Sequence, residues 1–338
     1  MTRTRNIIGL LLVASLALAA CGNNAGESTT TGAADTTEPA ELTPVSLQMH
    51  FLPEPAWGTH LYGIEHGIFA EHGIDLELIP GQGSQFSMQQ LNEGEVQFAQ
   101  ASLIAYLTSK ADTGSETTAV FSLIDHPQAG ILTTTPADSL EDLDGTTVGM
   151  IPFSVSQLLL PLVLTENGLD PASVTIESVN YSPALLFEGT VDGLEVYLGG
   201  NVATVTTAAE AAGVDVYHLD LHDFGLEGYA QSLIVSDELI ANDPDLVGRM
   251  VAALKESLDA VQSATPEEIA DLVTAEAPEI AGEDVIAEWA DYQEIMNEAG
   301  TIDEAVVETN LGYVRDGLGI QHDLQAADMY TNEFVPTD

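Results

Sequence analysis

From residue 44 onward the chain alternates short apolar runs with segments whose apolar positions recur at helical spacing. Residues 45–51, 74–79, 96–99, 118–124 and 129–134 read as strands, since each gathers Val, Ile, Leu or Phe between Gly, Pro or polar turn residues. Residues 58–72, 84–92 and 103–109 read as the helices among them. The logic then repeats. A strand at 147–151 follows the segment 140–145, and a helix opening at Ser154 runs through 164 and stops at Asn167-Gly168, a C-cap pair. Residues 174–179, 183–188, 193–198 and 214–219 follow as strand, helix, strand and strand. Beyond Asp243 the pattern is mostly amphipathic helix, over 243–263, 266–276, 282–299, 303–318 and 325–331. Such an order predicts an α/β protein of two lobes with a helical C-terminal tail.

The first residues carry a different pattern. Arg3 and Arg5 precede an apolar run, 7–20, that is too short for a membrane span and reads as a secretory signal. It ends Leu18-Ala19-Ala20-Cys21-Gly22, which resembles a bacterial lipobox and implies cleavage before Cys21 with acylation of its thiol. Each buried methylene of an acyl chain contributes about 0.8 kcal/mol, so two or three chains suffice as an anchor. Cys21 is the only cysteine, and an exported domain without a second one has no internal disulfide. Residues 22–43, rich in Asn, Ala, Gly, Ser, Thr, Glu and Pro, lack the apolar periodicity of a folded segment. The expected organisation is therefore a signal peptide at 1–20, an acylated Cys21 with a disordered tether at 21–43, and an extracytoplasmic domain anchored to the cell membrane.

Charge narrows the partners. Six Lys and Arg face 54 Asp and Glu, and two of the six, Arg3 and Arg5, lie in the signal segment. Nucleic acid is excluded as a partner, because the phosphate backbone demands the opposite sign. The acids are dispersed rather than blocked, which describes a solvated acidic surface with self-repulsion at low salt.

The stretch 51–101 carries a family resemblance. Phe51-Leu52-Pro53-Glu54-Pro55, His60-Leu61-Tyr62, Gly67-Ile68-Phe69, Gly73-Ile74-Asp75-Leu76 and Gly81-Gln82-Gly83-Ser84 follow one another there. Downstream come Asp144-Gly145 through Val148-Gly149, Gly168-Leu169-Asp170-Pro171, Gly189 through Asp192-Gly193, the stretch 217–235, and Asn242-Asp243-Pro244. This order resembles the thiamine-pyrimidine and nitrate/sulfonate/taurine-type substrate-binding proteins of ABC importers over nearly the whole mature domain. The resemblance implies a type II periplasmic-binding-protein fold, each lobe a mixed sheet flanked by helices, with the ligand between the lobes and the chain crossing the hinge twice. Crossings are expected near 133–138 and 233–237, giving lobe one as 44–135 completed by 236–338, and lobe two as 136–235. It also implies a monomer that hands a small-molecule ligand to permease and ATPase subunits.

Ligands of open α/β sheets bind beyond the carboxyl ends of strands, where helix N-termini present free N–H groups. That rule selects Phe51, Pro53, Trp57 and His60 after the first strand, Gln82, Gly83 and Ser84 after the second, and Ala101 and Ser102 after the third. The second lobe offers Pro152, Phe153, Ser154, Ser156, Tyr181, Asn201 and Tyr229. Trp57 suits stacking on a flat ring or packing on the next helix, Ser84 a ligand contact or a helix N-cap, and His60 a ligand contact or a cap.

Only Lys110, Arg249, Lys255 and Arg315 are basic after the signal, and none lies in these loops. Oxyanions usually require such groups or several N–H donors, so a neutral or weakly basic heteroaromatic such as an aminopyrimidine is favoured. The pyrimidine-binding branch commonly has an acid where this chain has Gln231, and an Asn/Glu pair where it has Asn201-Val202 after Gly199-Gly200. Gln231 offers a neutral carbonyl oxygen instead, and Glu195, Asp125 or Glu54 is either a substitute for that acid or an ordinary surface acid. Nitrate, sulfonate, taurine or a riboflavin-like compound stays open as ligand, as does a sensory role without import.

Enzymatic relatives in fungi make the pyrimidine with pyridoxal phosphate, iron and a cysteine-rich motif. This chain has no such cysteines, no lysine in the cleft loops for a Schiff base and no nucleophile–base spacing above chance. His50, His60, His66 and His72 fall on different faces of their elements. Binding without catalysis, cofactor or metal is the expectation.

Overall fold

The computed structural model describes residues 42–152 and 154–337. The expected signal, Cys21 and all but the end of the expected tether, together with Phe153, lie outside the described residues. The chain runs β1 (Thr43–Gln48), a 3-10 turn at Pro55–Trp57, α1 (Gly58–Glu65), α2 (Ile68–Glu71), β2 (Ile74–Ile79), α3 (Ser84–Asn92), β3 (Phe98–Ala101), α4 (Leu103–Thr113) and β4 (Thr117–Ile124). It continues through β5 (Ala129–Thr133), β6 (Thr147–Met150), α5 (Val155–Glu166), β7 (Thr175–Ser178), α6 (Pro183–Phe187), β8 (Gly193–Tyr197), α7 (Val202–Ala212) and β9 (Tyr217–Asp220). It ends with β10 (Gln231–Ser236), α8 (Asp237–Asn242), α9 (Pro244–Val261), α10 (Pro266–Glu276), α11 (Gly282–Glu294) and α12 (Glu304–Gly312).

Two five-stranded sheets result, ordered β2-β1-β3-β10-β4 and β7-β6-β8-β5-β9. Both are mixed. β1 lies parallel to β2 and β3 while β10 runs antiparallel to β3 and β4, and β6 lies parallel to β7 and β8 while β5 runs antiparallel to β8 and β9. In each sheet the parallel strands therefore end together, and the loops that follow them gather at one edge.

The chain passes between the sheets at residues 125–128 and 221–230, ahead of both stretches expected from the sequence. The strand at 129–133 pairs with β8 and β9, so it belongs to lobe two and not to lobe one. β10 pairs with β3 and β4 and belongs to lobe one. The physical reason is that Asp125-His126-Pro127-Gln128 ends one strand run and starts the next, with Pro127 unable to donate to a ladder. The boundaries become 43–124 with the chain from 231 for lobe one, and 129–220 for lobe two. The expected helix 58–72 breaks at Gly67, whose φ of 75° is the left-handed region. α7 is a helix that the sequence pattern hides, because its Val and Thr content weakens the helical signal.

Lobe one is organised around α9. Asp243 caps it, its carboxylate accepting from Leu246 N at 3.0 Å, and Pro244 occupies the first helical position, where no N–H is needed. Leu246, Val247, Met250, Val251, Leu254, Leu258 and Val261 form its buried face and join Val45, Leu47, Phe98, Phe121, Leu233 and Val235 of the sheet in one core. Fully burying each such side chain contributes about 1.5–3 kcal/mol. Trp57, Trp289 and Tyr292 close the same core near the cleft. A second apolar cluster takes residues of both lobes, including Leu103 and Ile104 of α4 and Leu159, Leu160 and Val163 of α5.

Candidate functional site

The floor of the cleft is a chain of polar side chains lodged among apolar strands. His50, just beyond β1, places Nε2 2.7 Å from Glu54 Oε1 and Nδ1 3.4 Å from Gln100 Oε1. Gln100, in β3, donates through Nε2 to Gln231 Oε1 at 2.9 Å. Gln231, the first residue of β10, also accepts from Tyr292 Oη at 3.0 Å and donates to Gln128 Oε1 at 3.4 Å. Gln128 in turn donates to Leu198 O at 2.8 Å, beyond β8 in lobe two. The chain thus starts in the loop after β1 and reaches lobe two through the hinge. Gln100 and Gln231 are fully buried.

Both ring nitrogens of His50 face acceptors, an arrangement that suits imidazolium. Burial disfavours its charge, but the Glu54 carboxylate and the hydrogen bonds to Glu54 and Gln100 outweigh burial and raise the pKa above the ordinary imidazole value. His60 is the opposite case. It is fully buried, neither ring nitrogen has a partner among the described residues, and burial with the neighbouring His50 pushes its pKa down to about 3.

Lobe two supplies a wall. Glu195, fully buried in β8, accepts from Ile151 N and from Tyr197 Oη, both at 2.8 Å. Asn201 accepts from Tyr197 N at 2.7 Å and donates to Tyr181 Oη at 2.9 Å. Tyr197 holds its proton more firmly than usual, chiefly because it is buried and secondarily because Glu195 lies beside it. Of the two readings open for Glu195, the surface acid is therefore ruled out, since the side chain is interior.

The other singled-out residues fall in three groups. Tyr181, Asn201 and Gln231 join these networks. Gln82 and Pro152 are exposed, and Phe51 is exposed to 45 % on the same rim. The loops after β1 and β2 are tied together there, Gly81 N donating to Phe51 O at 2.9 Å and Gly83 N to His50 O at 2.8 Å, with Gly83 at a φ of 114°. The third group is taken up by structure. Trp57 is only 1 % exposed and sits in the lobe-one core. Ser84 is the first residue of α3, not its N-cap, and its Oγ accepts from Ser102 N at 3.0 Å, joining the starts of α3 and α4. Ser102 and Ser154 cap α4 and α5, accepting from Ala105 N and Gln157 N. Tyr229 Oη accepts from Asp303 N at 2.8 Å while its carbonyl accepts from Leu103 N. His60 is the third residue of α1 and does not cap it.

Sequence reasoning misses His50, Gln100, Gln128 and Tyr292 as site residues and offers Glu195 only as an alternative. A signal exists for two of them. Gln100 interrupts the small apolar strand Phe98-Ala99-Gln100-Ala101, and Glu195 interrupts Gly193-Leu194-Glu195-Val196. A polar residue in a strand buried on both faces must find a partner. Tyr292 comes from α11, far along the chain, and nothing local marks it.

The four basic residues beyond residue 41 are engaged away from this floor. Arg249 pairs with Asp245 at 2.9 Å, Lys255 with Asp259, Arg315 with Asp316 at 2.8 Å, and Lys110 donates to Thr117 O. Where α4 faces α5, a cavity of about 30 Å³ lined by Ile104, Thr108, Val155 and Leu159 has room for one water. The lobes are closed on each other here. A hollow of about 450 Å³ lies elsewhere, across Pro44, Ser46, Asp75, Glu77 and Gln97 on the β1–β2 side of the first sheet. No group of histidine, cysteine and carboxylate side chains among the described residues could hold a metal ion.

Two mixed-sheet lobes with polar groups converging beyond their parallel strands define a ligand-binding protein of the periplasmic-binding type. The family described as NMT1/THI5 like matches residues 55–269, and the chain belongs to it. The formylaminopyrimidine-binding protein of Halalkalibacterium halodurans is 25 % identical over 248 residues, 72 % of this chain and 69 % of that protein. Riboflavin-binding protein RibY of Chloroflexus aurantiacus is 28 % identical over 360 aligned positions, 97 % of each. Among solved structures, the periplasmic aliphatic sulphonate binding protein SsuA of Escherichia coli superposes with a TM-score of 0.67 at 16 % identity, covering 85 % of this chain and 96 % of that one. The desulfurization enzyme DSZB shares the fold at a TM-score of 0.60 and 17 % identity, covering 86 % and 97 %, so the fold by itself does not separate binding from catalysis. No helix among the described residues is long and apolar enough to cross a membrane.

Proposed function

We propose that this chain is the extracytoplasmic substrate-binding component of an ABC importer, held at the membrane by acylated Cys21, and that it captures a small neutral heteroaromatic ligand of the aminopyrimidine kind between its lobes. The observation that carries the ligand class is the run of amides on the cleft floor. Gln100, Gln231 and Gln128 each present a carbonyl oxygen and an amino group, the alternation that matches the donor–acceptor edge of a pyrimidine. His50 brings a charge already neutralised by Glu54, and the Lys and Arg side chains are engaged elsewhere, so a small oxyanion finds no free cation among the described residues. The names of two relatives, one for a formylaminopyrimidine and one for riboflavin, support a ligand with such an edge, since the flavin ring ends in a pyrimidinedione.

Phe51 on the rim, with Tyr181 and Asn201 of the wall, completes the proposed contacts, while Gln82, Gly83, Ser84, Ser102 and Ser154 shape the loops around them. Opening and closing of the lobes is the signal that a permease would read. A thermal-shift panel of the purified protein in high salt tests the ligand class, using formylaminopyrimidine, riboflavin, taurine, an alkanesulfonate and nitrate. A ligand at a hundred times its Kd adds about 2.7 kcal/mol of stability. The melting temperature rises with the pyrimidine or the flavin; a rise with the anions alone contradicts the reading.

A further inference from the structure

α7 starts beyond β8 of lobe two, at the cleft edge of the sheet, and its first N–H groups have no partner within the helix. Asn201 stands at the N-cap position but does not cap, because Oδ1 accepts from Tyr197 N and Nδ2 donates to Tyr181 Oη. The cap comes from the other lobe. Glu288, on α11, places Oε1 2.6 Å from Thr204 N, in the first turn of α7. Its side chain is 1 % exposed, and Oε2 is buried with no hydrogen-bond partner among the described residues. The approach is tight. A Cβ at Gly199, whose φ is 68°, would come within 2.8 Å of Tyr292 Cα, so this glycine is what lets α11 reach the start of α7. Tyr292, one turn along from Glu288, donates to Gln231 on the cleft floor.

A helix N-terminus is a ready site for an oxyanion, since its N–H groups and dipole both favour negative charge. Here that place is held by a carboxylate of the protein itself. We propose that Glu288 is a specificity-determining residue of the cleft: reaching across from lobe one, it occupies the oxyanion position at the start of α7 as the lobes close, and so excludes sulfonates and similar anions while leaving neutral ligands unaffected. The inference rests on the cleft being the ligand site. It explains how a fold shared with a sulphonate-binding protein can favour an uncharged ligand. Burial pushes the Glu288 carboxyl toward its neutral form, opposed by the N–H groups of Thr204 and Ala203, and Asp291 adds to the upward push.

The test is titration calorimetry of the purified protein with methanesulfonate, taurine and formylaminopyrimidine, comparing the wild type with Glu288→Ala and Glu288→Gln. Expected is no saturable sulfonate binding at millimolar concentration by the wild type, and at least a tenfold gain in Glu288→Ala. Glu288→Gln, which keeps an acceptor oxygen but loses the charge, gains at least threefold, and it carries the test where the alanine variant fails to fold. Micromolar sulfonate binding by the wild type, or no gain in the folded variants, overturns the proposal. The pyrimidine arm is separate: a sulfonate gain in a protein that never binds the pyrimidine upholds the role of Glu288 and removes the proposed ligand class.

Discussion

The two lobes meet the cleft with polar groups of different construction. On the lobe-two side, Glu195, Tyr197, Asn201 and Tyr181 hydrogen-bond one another and the backbone, and a buried carboxylate anchors the set. On the lobe-one side, Gln100 and Gln231 form a line of amides running from His50 to the hinge, each amide accepting from one neighbour and donating to the next. A set of side chains pinned to the backbone at Ile151 and Tyr197 holds a shape whether or not ligand is present. A line of amides can exchange a protein partner for a ligand edge at little cost. The wall of lobe two thus defines the space, and the floor of lobe one reads the ligand.

Breaking the wall gives the largest expected effect. Glu195→Ala leaves Ile151 N and the Tyr197 hydroxyl buried without an acceptor and opens a void beside them, which costs about 2–5 kcal/mol of stability, measured by denaturant unfolding. Glu195→Gln, which retains one acceptor, costs less. Equal and negligible losses would mean that the wall is no more constrained than the floor.

A smaller effect sharpens the account of the floor. The pKa of His50 is raised in the folded protein, so its charged interactions stabilise fully below its ordinary value of about 6.5 and are lost as pH rises through the raised value. Stability measured against pH therefore declines as pH rises above about 6.5, and His50→Gln removes that part of the decline. An unchanged profile in the variant would place the titration elsewhere.

Much of the fold is legible in the sequence, because strands such as 74–79 and helices such as 84–92 and 266–276 are set by local periodicity and turn residues. The hinge crossings are not legible. Nothing in the apolar run at 129–133 states which sheet will take it, since its partners β8 and β9 lie far along the chain. The site divides in the same way. Loop residues follow from the strand-end rule, but that rule gives position without direction, and Trp57 turns into the core while Ser84 binds the neighbouring loop. The residues that form the floor are polar side chains inside strands, and their meaning appears only when β3, β10, the hinge and α11 are brought together.

The central claim, that the amide floor reads a heteroaromatic ligand, is tested most directly by calorimetry of formylaminopyrimidine with the wild type and Gln231→Leu. The substitution keeps the volume but removes the carbonyl shared by Gln100 and Tyr292 and the amino group facing Gln128. The account predicts affinity near micromolar in the wild type, about −8 kcal/mol, and at least tenfold weaker binding in a variant that remains folded. Equal affinity in the two proteins would contradict it.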